Sequence, residues 1–541
     1  MPLAVDFGTC NTVVATWREG RREAEVLRVD GLSRRYSHQV PGADGGEREA
    51  HVIPSLIHYG ERDSLLLGEQ VNDAGLADHI STFPWLKLAM LRNKNMNKRV
   101  NGKLISQRKA ASDLLRNVLA FAVGQAGQGE RDLVLTVPVE TFDHYTDWMQ
   151  EVAVTVFPGN IRFLDEATAC ILGYQHRVHD GESFMVFDFG GGTLDVSIIK
   201  VALDAGNGGR PKPTILGRAG EDLGGGLIDR WMLEHLQGRG VVDDSDIAAV
   251  GTRLVRALEE AKIALSCGAD DADISQFNDR TGRFISHTIT RQDLAALLKK
   301  KDLPKLVAST IHRALETAQV SYGLLPSHLN GVLMVGGSSM LLGVADIVRT
   351  ALPTAEVHCD RPFEAIAAGA CRYAGEDLNP TLVHEYGIYG WNRATKGYDW
   401  IPVIPRGTRY PTDKPVSGRY ISTAVAESDV LGLVVSERSW MKMPQSDYEV
   451  GSDGQLRVVA KGEKNVSGER ELNPQAKEFI RAAPPCGVDE PKRFVVAFGV
   501  DRHKRLTVSI KDTRPGNKSY VLTPTKEKVP LPVRDFPLVK L

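Results

Sequence analysis

Up to about residue 375, apolar positions alternate between two rhythms. Short β-branched runs repeat with period two, and longer stretches show the three-to-four spacing of an amphipathic helix. The second rhythm predicts helices over 107–125, 141–156, 166–177, 226–238, 246–266, 291–322, 340–351 and 363–374. Within 246–266, Leu254, Leu258, Ala261 and Leu265 share one face. From about residue 386 the pattern changes to short β runs at 399–404, 419–426, 430–436, 455–460, 493–500 and 505–511. Turn residues divide them, as in an all-β sandwich. A chain of 541 residues exceeds the practical size of one core, so at least two domains are expected.

Two of the β runs carry the same device. LAVDFGTCNTVVATW (Leu3–Trp17) and FMVFDFGGGTLDVSII (Phe184–Ile199) each deliver an aspartate, then Phe-Gly in a tight turn, then a second apolar alternation. Aligned on Asp6 and Asp188, the copies resume alternation at Val13–Val14 and Val196–Ile198. A three-glycine turn lets backbone N–H groups crowd one anion, because no Cβ blocks their approach. An aspartate at the adjoining strand end is placed to hold a hydrated Mg²⁺ on that anion. Two such hairpins describe facing jaws for a nucleotide polyphosphate, which makes an ATPase the leading expectation. A dinucleotide-binding turn would open a helix, whereas Thr193 to Ile199 alternates as a strand. No GxxxxGK[ST] occurs, so the P-loop arrangement is excluded.

A third glycine turn follows the short apolar strand Val332–Val335, as Gly336-Gly337-Ser338 leading into a helical stretch. Two phosphate hairpins followed by strand, Gly-Gly and helix form the ordered set of the actin-like ATPase fold. Within that fold the chain resembles the 70-kDa heat-shock (DnaK-type) chaperones. The resembling segments are VDFGTCN, LTVPVETF, FLDEATACILGY, VFDFGGGTLDVSI, DLGGGLIDR, LEEAKIALS and VLMVGGSS, in the family's order. IPRGTRYPT, AAPPCGVDEPKRFVVAFGVD and RLTVSIKD extend the resemblance into the β region. The resemblance implies an α/β actin-like ATPase of two duplicated, ribonuclease H-like lobes over 1–377, a linker over 378–387, and a β-sandwich substrate-binding domain over 388–541. The polar stretch Ser436 to Lys477 is longer than the family's usual loops, and no long helix precedes Leu541, so no helical lid is expected.

The resemblance also implies roles. Asp6 and Asp188 correspond to the carboxylates that hold Mg²⁺ through water, with Glu166 orienting that water and Asp195 as a second acid beside it. Gly8, Thr9, Cys10 and Asn11 would line the β-phosphate turn, where Cys10 replaces a usual threonine. Gly190, Gly191, Gly192 and Thr193 would cradle the γ-phosphate. Lys87 falls where the family keeps a lysine against that phosphate, able to stabilise charge developing in the transition state. Gly224, Gly225, Glu259, Lys262, Ser266, Gly336, Gly337 and Ser338 would surround the rest of the ATP or ADP. Lys87, Glu166, Asp188, Thr193 and Asp195 are thus the implied catalytic set. It works by positioning rather than by a strong base, so hydrolysis would be slow.

Several positions depart from the family's pattern. Its two arginines that clamp the adenine ring are matched by Ile263 and Met340, an aspartate near the base by Phe363, and the acid after DLGG by Gly226. Pro138 fits the proline that transmits nucleotide state, but the arginine expected eight residues later is Thr146. The leucine-rich linker is replaced by LNPTLVHEYG, with only a few aliphatics. Weaker or less base-selective nucleotide binding, and weaker coupling between domains, follow from these changes.

Charge and cysteines narrow the remaining classes. Lys+Arg of 66 against Asp+Glu of 68 gives −2, with no electrostatic case for nucleic acid. The basic runs Arg502–Arg505 and Lys299–Lys301 fall at a hairpin turn and a helix end, as solvated charges do. Cys10, Cys170, Cys267, Cys359, Cys371 and Cys486 include no CxxC pair, and histidine spacing offers no zinc site. Free thiols, a strand that begins by Leu3 and no 18-residue apolar run point to a reduced, cytoplasmic protein without membrane insertion. The expected partners are unfolded or extended polypeptides, with J-domain and nucleotide-exchange co-chaperones. The principal alternative is an actin-fold scaffold that senses nucleotide with little turnover. A sugar kinase would share the first hairpin but leaves the C-terminal β region without a role, and a filament-forming actin-like protein ranks behind both.

Overall fold

The computed structural model describes residues 2–376 apart from 40–45, 93–95, 127–131, 140–142, 175–176 and 205–209. Beyond them it describes 382, 385–392, 397–412, 414–421, 430–439, 445–450, 456–462, 468–471, 478–481, 493–501, 506–513 and 519–522. The chain divides into two compact units. One comprises Met1–Pro138, Met149–Asp377 and Met443–Lys464, and the other Val139–Trp148, Leu378–Lys442 and Asn465–Leu541.

The first unit holds two sheets built on one plan. In the first sheet, β1 (Leu3–Phe7) pairs antiparallel with β2 (Asn11–Arg18), which continues to β3 (Glu23–Val26) and to β5 (Glu47–Pro54), itself paired with β4 (Arg34–Gln39). On its other side β1 runs parallel to β6 (Asp132–Val137), and β6 parallel to β7 (Asn160–Asp165). The second sheet repeats this arrangement. There β8 (Ser183–Phe189) is antiparallel to β9 (Leu194–Asp204), β9 to β10 (Arg210–Glu221), and β8 is parallel to β11 (Gly331–Val335), followed by β12 (Glu356–His358). The duplicated Asp-Phe-Gly segments are therefore the first hairpin of each sheet. Their central strands are buried on both faces, as their near-continuous apolar runs require.

Helices are exchanged between the sheets. The helix α2 (Glu166–Gly173) follows the last strand of the first sheet yet also packs against β8, β10 and β11 of the second. The helix α5 (Ala365–Gly375) follows the last strand of the second sheet yet packs against β1, β2 and β6 of the first. Where these two helices cross, their backbones touch. A Cβ on Gly369 would overlap the Ala169 carbonyl, and one on Gly173 would overlap the Ala365 carbonyl. Tyr174 and Tyr373 finish the crossing. The Tyr174 hydroxyl accepts from the Arg361 N–H at 3.0 Å, and the Arg162 guanidinium covers the Tyr373 ring at 4.0 Å.

The helix α4 (Asp244–Ser266) buries Leu254, Leu258, Ala261 and Leu265 as their spacing predicts. It starts in a capping box between Asp243 and Asp246. The single helix expected over 291–322 is two, Arg291–Lys300 and Leu303–Tyr322. The chain turns at Asp302, whose φ of 56° lies in the left-handed region, and Pro304 in the first turn starts the second helix. The stretch expected as helix over 340–351 opens with a 3₁₀ turn at Gly337–Met340, and α-helix begins only at Val344.

In the second unit, one sheet joins Glu385–Asn392 to Gly397–Ile404 and to Val435–Ser439, the last paired with Gly468–Glu471. Another joins Ser417–Ile421, Phe494–Val500, Leu506–Asp512 and Ser519–Leu522. Tyr386, Ile388, Val403 and Val435 from the first sheet share one buried cluster with Phe494, Val496, Val508 and Ile510 from the second. The run expected over 430–436 is two strands, Val430–Gly432 and Val435–Ser439. The polar stretch 436–477 includes Gly468–Glu471 and, in the first unit, Gln445–Val450 and Leu456–Gly462, the last matching the run expected over 455–460. Of the expected connector 378–387, the last residues already belong to the strand Glu385–Asn392, with Tyr386 fully buried. Residues 378–381, 383 and 384 lie outside the described residues, as do Cys486, the basic run 502–505 and 523–541.

Two glycine substitutions separate packing from propensity. Gly→Ala in an exposed helix gains up to about 1 kcal/mol, which is expected at Gly124, where an added Cβ meets nothing within 4 Å. Gly369→Ala should instead destabilise by about 1–3 kcal/mol, because the new methyl has only backbone to displace. Urea unfolding of both variants checks this, and a stabilised Gly369→Ala would contradict the close crossing.

Candidate functional site

The glycine turns meet at one place. The Gly225 N–H donates to the Gly190 carbonyl at 3.1 Å and the Gly226 N–H to the Gly191 carbonyl at 3.0 Å, so the turn before α3 (Gly225–Gly238) lies on the β8–β9 turn. That β8–β9 turn is closed by the Gly190 N–H on the Thr193 carbonyl at 3.0 Å. Gly336, at φ 80°, donates to the Pro362 carbonyl at 2.8 Å, and a Cβ there would strike Phe189 and the Asp188 carboxylate. Only glycine fits that position. The first hairpin's turn is held from outside by Ser55. Its hydroxyl donates to the Gly8 carbonyl at 2.9 Å and its N–H to the Cys10 carbonyl at 2.8 Å. Asn11 begins β2 and Thr9 precedes Cys10 in the turn.

Behind these turns is a buried charge cluster. Asp188 and Asp195 are cross-strand partners in the β8–β9 hairpin. Asp6, at the end of β1, accepts from the Thr136 hydroxyl at 2.7 Å. Glu166 is the first residue of α2, held there because Asp165 caps the helix through the Thr168 N–H at 2.8 Å. Lys87 reaches Glu166 at 2.5 Å, and their side chains are only 9% and 13% exposed. It is therefore not a solvated helix lysine. Burial pushes the Glu166 carboxyl up to about 7; Lys87 opposes this, while Asp6 and Asp195 add to it. Asp188 is raised well above the carboxylate range by burial, then by Glu166 and Asp195. Four carboxylates thus face one buried lysine. No three His, Cys, Asp or Glu side chains among the described residues converge closely enough to ligate a metal directly. The surplus negative charge is what a hydrated divalent cation on a polyphosphate would compensate.

The helix α1 (Leu86–Leu91) carries Lys87, and its start is unusual. Trp85 adopts φ 60°, a left-handed conformation costly for an aromatic residue. Its ring lies on Gly226, where any side chain would collide with it. The family's acid at 226 and this indole exclude one another, so the glycine at 226 is the counterpart of Trp85. Nothing in the local sequence pattern marks Trp85, because the contact joins positions far apart in the chain.

A second buried pair sits under α4. Lys262 reaches Asp229 at 2.6 Å and donates to the Gly225 carbonyl at 3.0 Å. Burial pushes Asp229 up to about 7, against the pull of Lys262, with Glu259 adding to the rise. Burial acts to lower Lys262, but Asp229 and Glu259 outweigh it and hold it above the usual lysine value. Ser266 donates to the Lys262 carbonyl at 2.7 Å and accepts from the Leu342 N–H at 3.3 Å. Asp229 is a site residue that the sequence motifs do not single out.

Glu259, Lys262, Ser266, Gly225, Gly337 and Ser338 line one cavity of about 100 Å³ together with Ile263, Met340, Phe363, Tyr36 and Cys10. A larger cavity of about 480 Å³ shares Cys10, Tyr36, Glu259 and Ile263 and adds Thr9, Trp85 and Asp229. The walls end at Thr9, Cys10, Asn11 and Gly191, short of the carboxylate cluster. Cys10 packs directly on Gly191, and burial, then Glu259, raise its thiol, so it is inert rather than nucleophilic.

The Hsp70 protein family profile matches residues 62–381. The chain is 25% identical to the chaperone protein dnaK of Trieres chinensis over 457 residues, which cover 78% of this chain and 69% of that one. It is also 25% identical to the chaperone protein DnaK of Deinococcus radiodurans over 445 residues, covering 76% and 66% respectively.

The charge cluster makes a titration measurable. Glu166 titrates near 7 with Lys87 holding it down, so Lys87→Met should move that midpoint upward and leave the carboxyl protonated at neutral pH. Because the folded value exceeds the unfolded one, Glu166 favours folding below about pH 4.5 and loses that advantage as pH rises through about 7. Carboxyl ¹³C chemical shifts of both proteins check the direction, and a midpoint that falls or stays would contradict the coupling.

Proposed function

This chain belongs to the Hsp70 family, and we propose that it binds Mg-ATP between the two sheets of its first unit and hydrolyses it slowly to control the binding of extended polypeptide. The family is one of chaperone-type ATPases. One observation carries the reading here: turn 190–193 is hydrogen-bonded to turn 224–226 and packed on Thr9 and Cys10 of turn 8–11, at the end of strands that carry the buried acids Asp6, Asp188 and Asp195 beside the Lys87–Glu166 pair.

In this reading, backbone N–H groups of Thr9, Cys10, Asn11 and of Gly190, Gly191, Gly192 and Thr193 receive the phosphates. Glu259, Lys262, Ser266, Gly336, Gly337 and Ser338 receive the nucleoside. Asp6, Glu166 and Asp188 hold water on the cation, which neutralises polyphosphate charge when bound. Lys87 stabilises negative charge growing on the terminal phosphoryl group, while Asp195 and Thr193 orient the attacking water. With no strong base in the cluster, positioning and electrostatics do the work, and turnover is slow. The second unit would take an extended peptide by strand-like hydrogen bonds and apolar pockets, with J-domain and exchange partners acting on the first. No described helix is long and apolar enough to cross a membrane, and the reading places the protein in the cytoplasm.

A second reading, a nucleotide-sensing scaffold with little turnover, draws on the altered base pocket. Ile263 and Met340 occupy its walls at the two positions where the family's arginines would stack. Titration calorimetry with Mg-ATP, Mg-ADP and Mg-GTP, followed by single-turnover hydrolysis, separates the two. Tight binding without hydrolysis favours the sensor, and no binding at all removes both.

Asp188→Asn should abolish Mg²⁺-dependent hydrolysis while the far-UV spectrum stays native and the melting temperature does not fall, because it removes a buried acid crowded by Glu166 and Asp195 and almost no volume. Unchanged turnover would show that the glycine hairpin is not the active centre. Ile263→Arg with Met340→Arg should tighten ATP by about 1–3 kcal/mol and widen its preference over GTP. Equal or weaker binding in that double variant would mean the base is held by other contacts.

A further inference from the structure

The base end of the cavity is bounded by side chains from both sheets. Tyr36, on β4 of the first sheet's hairpin, lies flat on Phe363, in the loop between β12 and α5. Their ring centroids are 5.3 Å apart and their planes 6° from parallel. The guanidinium of Arg34 lies 4.9 Å from the centre of the Tyr36 ring. The partner strand β5 reaches the same loop. Arg48 donates to the Asp360 carbonyl at 3.1 Å and lies 3.8 Å from Glu364. Tyr36 and Phe363 line the cavity that Ile263 and Met340 also line.

We propose that Tyr36 and Phe363 form an aromatic latch between the two lobes that closes the base end of the nucleotide cavity and sets the rate at which a purine nucleotide leaves. The inference rests on the nucleotide-binding reading above. Two rings stacked in parallel at this spacing leave no room for a base between them. A base in this cavity therefore rests against the Ile263 and Met340 walls, with the ring pair across its exit. Departure then requires the rings to part, so the apolar stack holds the nucleotide kinetically where guanidiniums would hold it by direct contact. The latch is anchored in each lobe by different means. Phe363 is bound to the site's own backbone, because Gly336 donates to Pro362 next to it. Tyr36 is carried by the β4–β5 hairpin, whose Arg48 contact to Glu364 is half-exposed on the arginine side and adds little by itself. Since the central contact is apolar, added salt should change the release rate only weakly.

The test uses the full chain. Stopped-flow release of a fluorescent ADP, chased with unlabelled ATP, should be about three- to tenfold faster in Tyr36→Ala and in Phe363→Ala. The double variant should release no faster than the quicker single variant, since either change alone destroys the contact. Tyr36→Phe should keep the wild-type rate. In the nucleotide-free protein, amide exchange over residues 47–54 should rise in Phe363→Ala, although that residue lies in the other lobe. Additive effects on release, or unchanged release in both alanine variants, overturn the latch. If the wild-type chain binds no nucleotide, the functional reading fails, and amide exchange alone decides whether the two lobes are latched: an unchanged pattern overturns it there too.

Discussion

The backbone contact between α2 and α5 is the constraint from which the site's geometry follows. At Gly173 and Gly369 each helix meets a carbonyl of the other where a side chain would stand. Because each helix follows one sheet and packs on the other, this crossing fixes the two sheets against each other. Glu166 opens α2, and Phe363 precedes α5 by one short turn. The crossing therefore sets both the position of a buried acid beside the glycine turns and the position of a ring on the wall of the cavity. Dense packing transmits such placement because the interior has no slack to absorb a shift.

Electrostatics then build on that frame. Asp6 and Asp188 end equivalent strands of two sheets with one topology, so duplication alone brings two acids toward a common point. Asp195 and Glu166 are added by the hairpin's return strand and by the crossed helix. Burial raises Asp188 and Glu166, and the neighbouring acids add to the rise because Lys87 answers only part of their charge. Crowded like charges in a buried place are costly to the empty protein, and a bound cation–polyphosphate would relieve the cost. Lys262 and Asp229 behave differently. They compensate one another beneath α4 and hold the Gly225 turn in place.

The cavity lined by Ile263 and Met340 is where this chain parts from its family's pattern. Ile263, Met340, Phe363 and Tyr36 contribute apolar walls to it, and Trp85 lies on Gly226. Two of the changes are matched by a contact: Gly226 lies against the Trp85 indole and Phe363 against the Tyr36 ring.

The sequence by itself determined the local devices. Period-two runs around Asp6 and Asp188, the glycines that follow them, and the Leu254–Leu265 stripe are set by neighbours within a few positions, so strand, turn and helix were legible there. It also carried the resemblance that assembled these devices into one site. Where local signals compete, the reading failed. Residues 291–322 show continuous helical spacing, and only the left-handed turn at Asp302 divides them. In the polar stretch 436–477 the run expected over 455–460 is the strand Leu456–Gly462, whereas Gln445–Val450 and Gly468–Glu471 lack strong alternation and are organised by ladder hydrogen bonds. The roles of Trp85, Asp229 and Tyr36 were decided by tertiary structure alone. Each acts through a partner distant in sequence — Gly226, Lys262 and Phe363 — and a contact between remote residues leaves no periodicity for a single sequence to display.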